Sequence, residues 1–444
     1  MNEMMNQARG KRFHLHAVTL LMLACAQMIV LLTYERGTAL LAGYAAVWLA
    51  GVGAVQLSYH YRRLPTVYWL GFALAAWYAF TRVINGDHYL QITEARYTAT
   101  ALMGVFGLAF PAAVCLRDAH KRYVLDAILL AVVLVFALIN GIGILAAMQG
   151  RVIYLPFFGN EFGIMRDGRL WVLGINPFYT STFGVCGAFL LLYLASHHHS
   201  RWLALPVAAL EIIFLASVRL SGSRTGMIVF GLGGFMAAGV VLPRLFPSVR
   251  DRLWLRVLCV LLAAIVIVFA LAGAADLVSE NRDLKPRRSF LSVLGTLSDR
   301  TIVWEAVIPV FRKEPLRLLT GFPEGGLQRA LNAQVRYGYY NHLHNAFLHT
   351  LMLGGLPALL LSLAMLWCVA KAAFRVLCFG PCSMKILVVY LVLYLIQMML
   401  EPYLFLDASI FNFLFWLVAG YLVELAKDLT PPSTKPRAAQ TAAV

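Results

Sequence analysis

The sequence predicts an all-α fold: a polytopic membrane protein with about twelve transmembrane helices and one large helical loop outside the membrane. Three observations predict it, namely the composition, the spacing of the apolar stretches and the placement of the basic residues. Of the 444 residues, 61% are apolar and only 13% are charged, and the mean hydropathy is +0.75. Because a soluble domain needs about a quarter of its residues charged to cover its surface, most helices are expected to face lipid.

Apolar stretches of about 20 residues, the length that crosses a bilayer as a helix, recur along the chain between charged breaks. Twelve spans are predicted, at 14–34, 38–59, 65–84, 97–116, 123–147, 171–196, 202–219, 225–246, 254–277, 346–374, 384–402 and 404–426. Residues 1–277 therefore hold nine spans, 278–345 form a polar loop, and 346–426 hold three more. The tail at 427–444 is rich in proline and alanine and is predicted to be disordered in the cytoplasm.

The net charge of +16 would indicate nucleic acid binding in a soluble protein, but here it is interpreted as membrane topology. Basic residues occupy every second connection between the spans, and together with both termini these connections hold 19 of the 37 Lys and Arg residues. Because basic residues accumulate on the cytoplasmic side, both termini are predicted to be cytoplasmic. No nucleic acid partner is predicted.

The polar segment at 278–345, called the external loop below, is then predicted to lie outside the membrane. It has 68 residues, with ten basic and six acidic side chains. Val303, Val307 and Val310 share one face of a predicted helix, and a second helix is predicted at 327–336. We therefore expect the loop to form a small helical cap on the membrane domain.

The short connection between spans seven and eight contains a turn of small residues at 221–223, called the serine turn below, with Arg219 before it and Arg224 after it. Three features predict a phosphate site that includes Ser223. Backbone amides converge at the small residues, a helix starts directly after them, and two guanidinium groups flank the turn. Arginines that flank a turn also reach toward the membrane interface without binding a ligand. Two of them in an acid-poor outer turn nevertheless oppose the usual charge bias.

The external loop ends with His342, His344 and Asn345, directly before span ten. The positive end of the helix and the neighbouring arginines disfavour an imidazolium, which predicts a neutral histidine that accepts a proton. The alternative is a cap or a packing contact. Histidines two residues apart do not lie side by side on a helix, so no metal site is predicted.

Four features together resemble the O-antigen ligase and polymerase superfamily: the serine turn with its arginine, Arg300 followed by Trp304, the glycine-containing stretch at 321–326, and the His-Asn pair before a leucine- and glycine-rich span. These features occupy about one third of the chain, at 215–360. The number of spans and the large loop between spans nine and ten resemble the ligases most closely.

The resemblance implies a glycosyltransferase similar to the GT-C class in the bacterial inner membrane. It implies transfer of a completed glycan from undecaprenyl diphosphate to the lipid A core on the periplasmic face, with inversion and with neither metal nor cofactor. By position, Arg224 and Arg300 match the family's functional arginines and His344 matches its histidine. We add Arg219 as a further diphosphate contact, and predict supporting roles for His342, Asn345, Ser223 and Glu401.

Three alternatives stay open from the sequence. An O-antigen polymerase uses the same lipid-linked donor, and a protein O-oligosaccharyltransferase transfers the glycan to a protein. A transporter or flippase belongs to another class and is expected to carry ionisable groups across the depth of a central cavity. This chain has few such groups at mid-depth, Glu211 being the clearest, and its charge is clustered on one side, which favours the transferases.

Overall fold

A computed structural model describes residues 66–85, 122–155, 160–166, 168–172, 177–197, 203–245, 300–334, 343–400 and 410–429. This part of the chain is mostly helical. The predicted spans at 14–34, 38–59, 97–116 and 254–277 lie outside the described residues, as do His342, Glu401 and the tail beyond 429.

Eight long helices correspond to the remaining predicted spans. They are α1 (Thr66–Ile84), α2 (Arg122–Met148), α3 (Pro177–His197), α4 (Ala204–Leu220), α5 (Arg224–Leu245), α10 (Ala346–Phe379), α11 (Cys382–Met398) and α12 (Ile410–Asp428). The described part of the external loop contains four short helices, α6 (Arg300–Glu305), α7 (Val307–Lys313), α8 (Arg317–Thr320) and α9 (Glu324–Asn332). Among the described residues, three segments are long and apolar enough to cross a membrane: Leu125–Met148, Pro177–His197 and Ala346–Phe379.

Hydrogen bonds between the long helices join their ends in two groups. At one end, the start of α3 contacts the end of α11, where Gln397 Nε2 donates to Thr182 Oγ1 over 2.6 Å. At the opposite end, Tyr193 near the end of α3 donates to Asp126 near the start of α2 over 2.8 Å. These contacts agree with the alternation predicted for spans five, six and eleven. The end of the bundle that holds the start of α3 and the end of α11 is called the site end below.

Four short strands form two antiparallel hairpins between α2 and α3, which the all-α prediction did not include. They are β1 (Ile153–Leu155) with β2 (Asn160–Phe162), and β3 (Ile164–Arg166) with β4 (Arg169–Trp171). The prediction that span six begins at 171 is therefore wrong by six residues, because α3 begins at Pro177. Residues 170–175 are mainly apolar and prolong the hydropathy window, and hydropathy alone does not separate a short strand from a helix.

Residues 300–334 of the external loop are mostly helical and pack on the bundle. The prediction that Val303, Val307 and Val310 share one face is confirmed, since their exposed fractions are 0%, 5% and 3%. A turn at Ala306 divides that predicted helix into α6 and α7. The second predicted helix, 327–336, is found three residues earlier, as α9. Proline before its first turn explains the shift, because a fixed φ favours a helix start.

Helix α10 is broken in its first half, and the external loop is attached at the break. Gly355 has φ 68° and ψ −173°, and Pro357 follows two residues later. The freed carbonyl of Met352 accepts from the amide of Phe322 over 2.6 Å, and that of Gly354 accepts from Trp77 Nε1, also over 2.6 Å. The loop and α1 therefore satisfy backbone groups that an unbroken helix would pair internally.

We expect Gly355→Ala to destabilise the protein by about 2 to 4 kcal/mol, because the left-handed backbone disfavours a side chain and the fold leaves no space for one. A Cβ at this position would lie 2.3 Å from the carbonyl oxygen of Leu319 in the external loop. The measurement is the midpoint of thermal unfolding in detergent. Gly141→Ala is the matched control, since a Cβ there meets nothing within 4 Å. Equal midpoints for the two variants would contradict the proposed attachment.

Candidate functional site

The serine turn joins α4 to α5 and is built by its own hydroxyl groups. Gly222 has φ +58°, the left-handed conformation that lets the chain reverse between two helices. Ser223 precedes α5 and its Oγ accepts from the amide of Gly226 over 3.1 Å, which is the hydrogen bond of a helix N-cap. The amide of Ser223 donates to Ser221 Oγ over 3.1 Å. These two hydrogen bonds stabilise the turn directly before Arg224.

The backbone amides of this turn differ from the sequence-based expectation. The amide of Ser221 donates to the carbonyl of Ser217 over 2.9 Å, and that of Gly222 donates to Arg219 O over 3.2 Å. Together with Ser223 and Gly226, these residues use their amides within the protein, because the last turn of α4 continues into the loop. These four amides are therefore not available to an anion. The side chain of Arg219 beside them is half-buried.

Asn345 fixes the segment that contains His344. Its Oδ1 accepts from the amides of Phe347 and Leu348, both over 3.0 Å, which makes it the N-cap of α10. Its Nδ2 donates to the carbonyl of Met399 at the end of α11 over 3.1 Å. Asn345 therefore joins the start of α10 to the end of α11 at the site end.

His344 has φ 49°, which a residue with a side chain adopts at a cost of about 1 to 2 kcal/mol. Of the described residues, it is the one non-glycine residue with positive φ. Its side chain is half-buried. Strained backbone of this kind is concentrated at functional sites, where the surrounding structure holds it in place.

Arg300 and His344 lie on segments that contact each other. Trp304 Nε1 donates to the carbonyl of Leu343 over 2.7 Å, and Leu343 directly precedes His344. Arg300 begins α6 and lies four residues before Trp304, so the two residues lie on the same side of that helix. The helix that Arg300 begins is therefore joined to the histidine segment by a hydrogen bond from Trp304.

The serine turn lies at the same end of the bundle as His344. The start of α5 contacts the start of α3, since a Cβ on Gly226 would lie 2.4 Å from Ser181 Cβ. The start of α3 in turn bonds to the end of α11, which Asn345 contacts from the histidine segment. The backbone of Arg224, the helix of Arg300 and the segment of His344 are therefore all near the site end.

The structure also places Arg169, which the sequence analysis did not identify, on the serine turn. Its Nη2 donates to the carbonyl of Gly222 over 3.0 Å. Arg169 begins β4, and a three-residue strand gives too short an alternation to be recognised in the sequence.

An apolar groove of about 800 Å³ opens beside the Arg300 helix. Its lining is formed by α6, α7 and the first turns of α10, with Trp304, Glu305, Val307, Ile308, Phe311, Arg312, Pro315, Leu348 and Leu351. Trp304 belongs both to this groove and to the contact with the histidine segment. The groove therefore lies beside both the Arg300 helix and the histidine segment.

Comparison with known proteins gives one family match. Residues 209–363, about a third of the chain, match the O-antigen ligase family model. No curated protein matches the chain. The matched segment contains Arg219, Arg224, Arg300 and His344. This match confirms the resemblance that the motifs predicted, and it assigns the segment to the O-antigen ligase and polymerase superfamily.

Proposed function

We propose that this protein is an O-antigen ligase of the bacterial inner membrane. It transfers a completed glycan from undecaprenyl diphosphate to a sugar of the lipid A core on the periplasmic face. The family match over 209–363 supports the reaction class. The observation that carries the site assignment is the 2.7 Å hydrogen bond from Trp304 to Leu343, because it joins the Arg300 helix to the His344 segment.

In this proposal the arginines bind the diphosphate of the donor. Arg224 and Arg300, assisted by Arg219, neutralise the negative charge that develops as the bond between the sugar and the diphosphate breaks. A guanidinium presents several N–H donors in one plane and matches two phosphate oxygens at once, which an ammonium group does not. Groups that stabilise developing charge in this way typically contribute about 10²-fold to 10³-fold in rate.

His344 is the general base of the proposed reaction. A neutral imidazole removes the proton from the acceptor hydroxyl while that oxygen attacks the anomeric carbon from the face opposite the diphosphate. The new glycosidic bond forms as the carbon–oxygen bond to the diphosphate breaks, so the configuration is inverted. Undecaprenyl diphosphate leaves, and the proton stays on His344 until it is released to water.

The groove beside α7 supports a lipid donor. We propose that the first isoprene units of the polyprenyl chain lie along Ile308, Phe311 and Leu348, with the diphosphate toward Arg300. The chain then leaves the groove sideways into the outer leaflet, and the external loop covers the reacting groups and limits the access of water.

The test is transfer in vitro with purified protein, lipid-linked glycan and core lipid, with and without a chelator. We expect glycan on the core lipid and the same rate with the chelator present, because arginines take the place of a metal. Loss of activity with the chelator would remove that part of the mechanism. Elongation of the lipid-linked glycan in place of transfer to the core lipid would identify a polymerase and contradict the ligase proposal.

A further inference from the structure

The hairpin that carries Arg169 is firmly attached to the bundle. Leu170 in β4 is fully buried, and the amide of Val172 after the strand donates to Thr180 Oγ1 in α3 over 3.0 Å. The bend between the two hairpins packs on α2, since a Cβ on Gly163 would lie 2.4 Å from Ala146 Cβ. Arg169 therefore extends from a rigid support, although its side chain is exposed.

Arg169 contacts the serine turn in two ways. Its Nη2 donates to the carbonyl of Gly222 over 3.0 Å, and its aliphatic stem covers the same residue. A Cβ on Gly222 would lie 3.1 Å from Arg169 Cγ and 3.3 Å from its Nε. Gly222 is the left-handed residue of the turn, so Arg169 fixes the orientation of the peptide plane that leads toward Arg224.

This contact crosses between elements that are far apart in the chain. Arg169 and Gly222 are separated by 53 positions, and the contact joins the hairpin to the junction of α4 and α5. If Arg169 only neutralised the carbonyl groups at the end of α4, its attachment to a rigid hairpin would not be needed. Arg219 and Arg224 lie on the two sides of this turn, so the conformation of the turn decides whether both guanidiniums meet one diphosphate.

We propose that Arg169 is a positioning residue for the ligase reaction: its hydrogen bond to Gly222 holds the serine turn so that Arg224 reaches the diphosphate that Arg219 also binds. The inference rests on the proposed function and deepens it. Arg169 acts through Arg224 and does not take part in bond making. Misplacement of a charge-stabilising group by about 1 Å is sufficient to lower the rate substantially.

The test compares Arg169→Ala, Arg169→Lys and Arg166→Ala in the in vitro transfer assay. We expect Arg169→Ala to lower kcat about tenfold with the donor KM changed less than about threefold, because the loss is one of transition-state geometry. Lysine retains a donor for the Gly222 carbonyl and is expected to recover most of kcat. Arg166 is the cross-strand neighbour of Arg169 in the hairpin. Arg166→Ala therefore removes one positive charge from the same hairpin and should leave kcat unchanged.

A double variant separates positioning from a direct charge effect. If Arg169 acts through Arg224, then the double variant Arg169→Ala/Arg224→Ala is no slower than Arg224→Ala alone, within about twofold. A rate reduced by the product of the two single effects would overturn the proposal, as would a wild-type kcat in Arg169→Ala. Gly222→Ala strains the left-handed backbone of the turn itself and is expected to lower kcat with Arg169 intact.

The outcomes distinguish this inference from the proposed function. Absence of transfer by the wild-type protein would contradict the ligase proposal itself. A different result would overturn the positioning role alone. In that case the wild type transfers glycan and Arg224→Ala does not, while the single variants Arg169→Ala and Gly222→Ala both keep full activity. Midpoints of thermal unfolding show whether each variant is folded, and Arg169→Lys tests the role if the alanine variant is not.

Discussion

Replacement of His344 by alanine is expected to stop glycan transfer while the donor still binds. A general base contributes about 10²-fold to 10⁴-fold, so kcat should fall by at least this lower factor. The imidazole is not needed for binding of the diphosphate, and the arginines remain in place. The measurements are the rate of transfer to core lipid and the rise in unfolding midpoint that the lipid-linked glycan produces, which reports donor binding.

The backbone at position 344 requires a matched control. Because His344 has φ 49°, alanine also introduces a residue that adopts the left-handed conformation poorly. Asparagine tolerates this conformation better, yet its amide is not a base. We therefore expect His344→Asn to keep the wild-type unfolding midpoint and still lack transfer. Activity close to wild type in His344→Asn would contradict the assignment of the general base.

Replacement of Arg300 by alanine is expected to lower kcat by about 10²-fold to 10³-fold, because it removes one group that stabilises the leaving diphosphate. Lysine keeps the charge but not the planar pair of donors, so Arg300→Lys should recover only part of the rate. The same transfer assay measures both variants. Lys313→Ala is the control, because Lys313 is an exposed basic residue of the adjacent helix α7.

The Arg300 variants also test the link to His344. The hydrogen bond between Trp304 and Leu343 is made without the guanidinium, so Arg300→Ala should leave this attachment of the loop to the histidine segment in place. A loss of rate with an unchanged midpoint identifies a chemical role. A midpoint that falls together with the rate would instead assign Arg300 to the stability of the external loop.

Local patterns in the sequence predicted most of the described helices. The boundaries of α1, α2 and α4 agree with the predicted spans within two residues, because a helix in lipid must be continuously apolar over a fixed length. The buried face of α6 and α7 followed from the spacing of three valines. The two hairpins were missed because strands of three residues give no periodic signal, and apolar residues on either side prolong the adjacent window.

The sequence by itself determined the class of protein, most of the long helices and the residue types of the proposed site, since these depend on composition and on spacing within one segment. Only the tertiary structure decided which of those residues meet. The contact of Arg169 with Gly222 spans 53 positions and that of Thr182 with Gln397 spans 215, and such pairs are selected by packing of whole helices. Packing also determined that the turn amides bond within the protein and that His344 is left-handed, because both depend on neighbouring groups that no local pattern specifies.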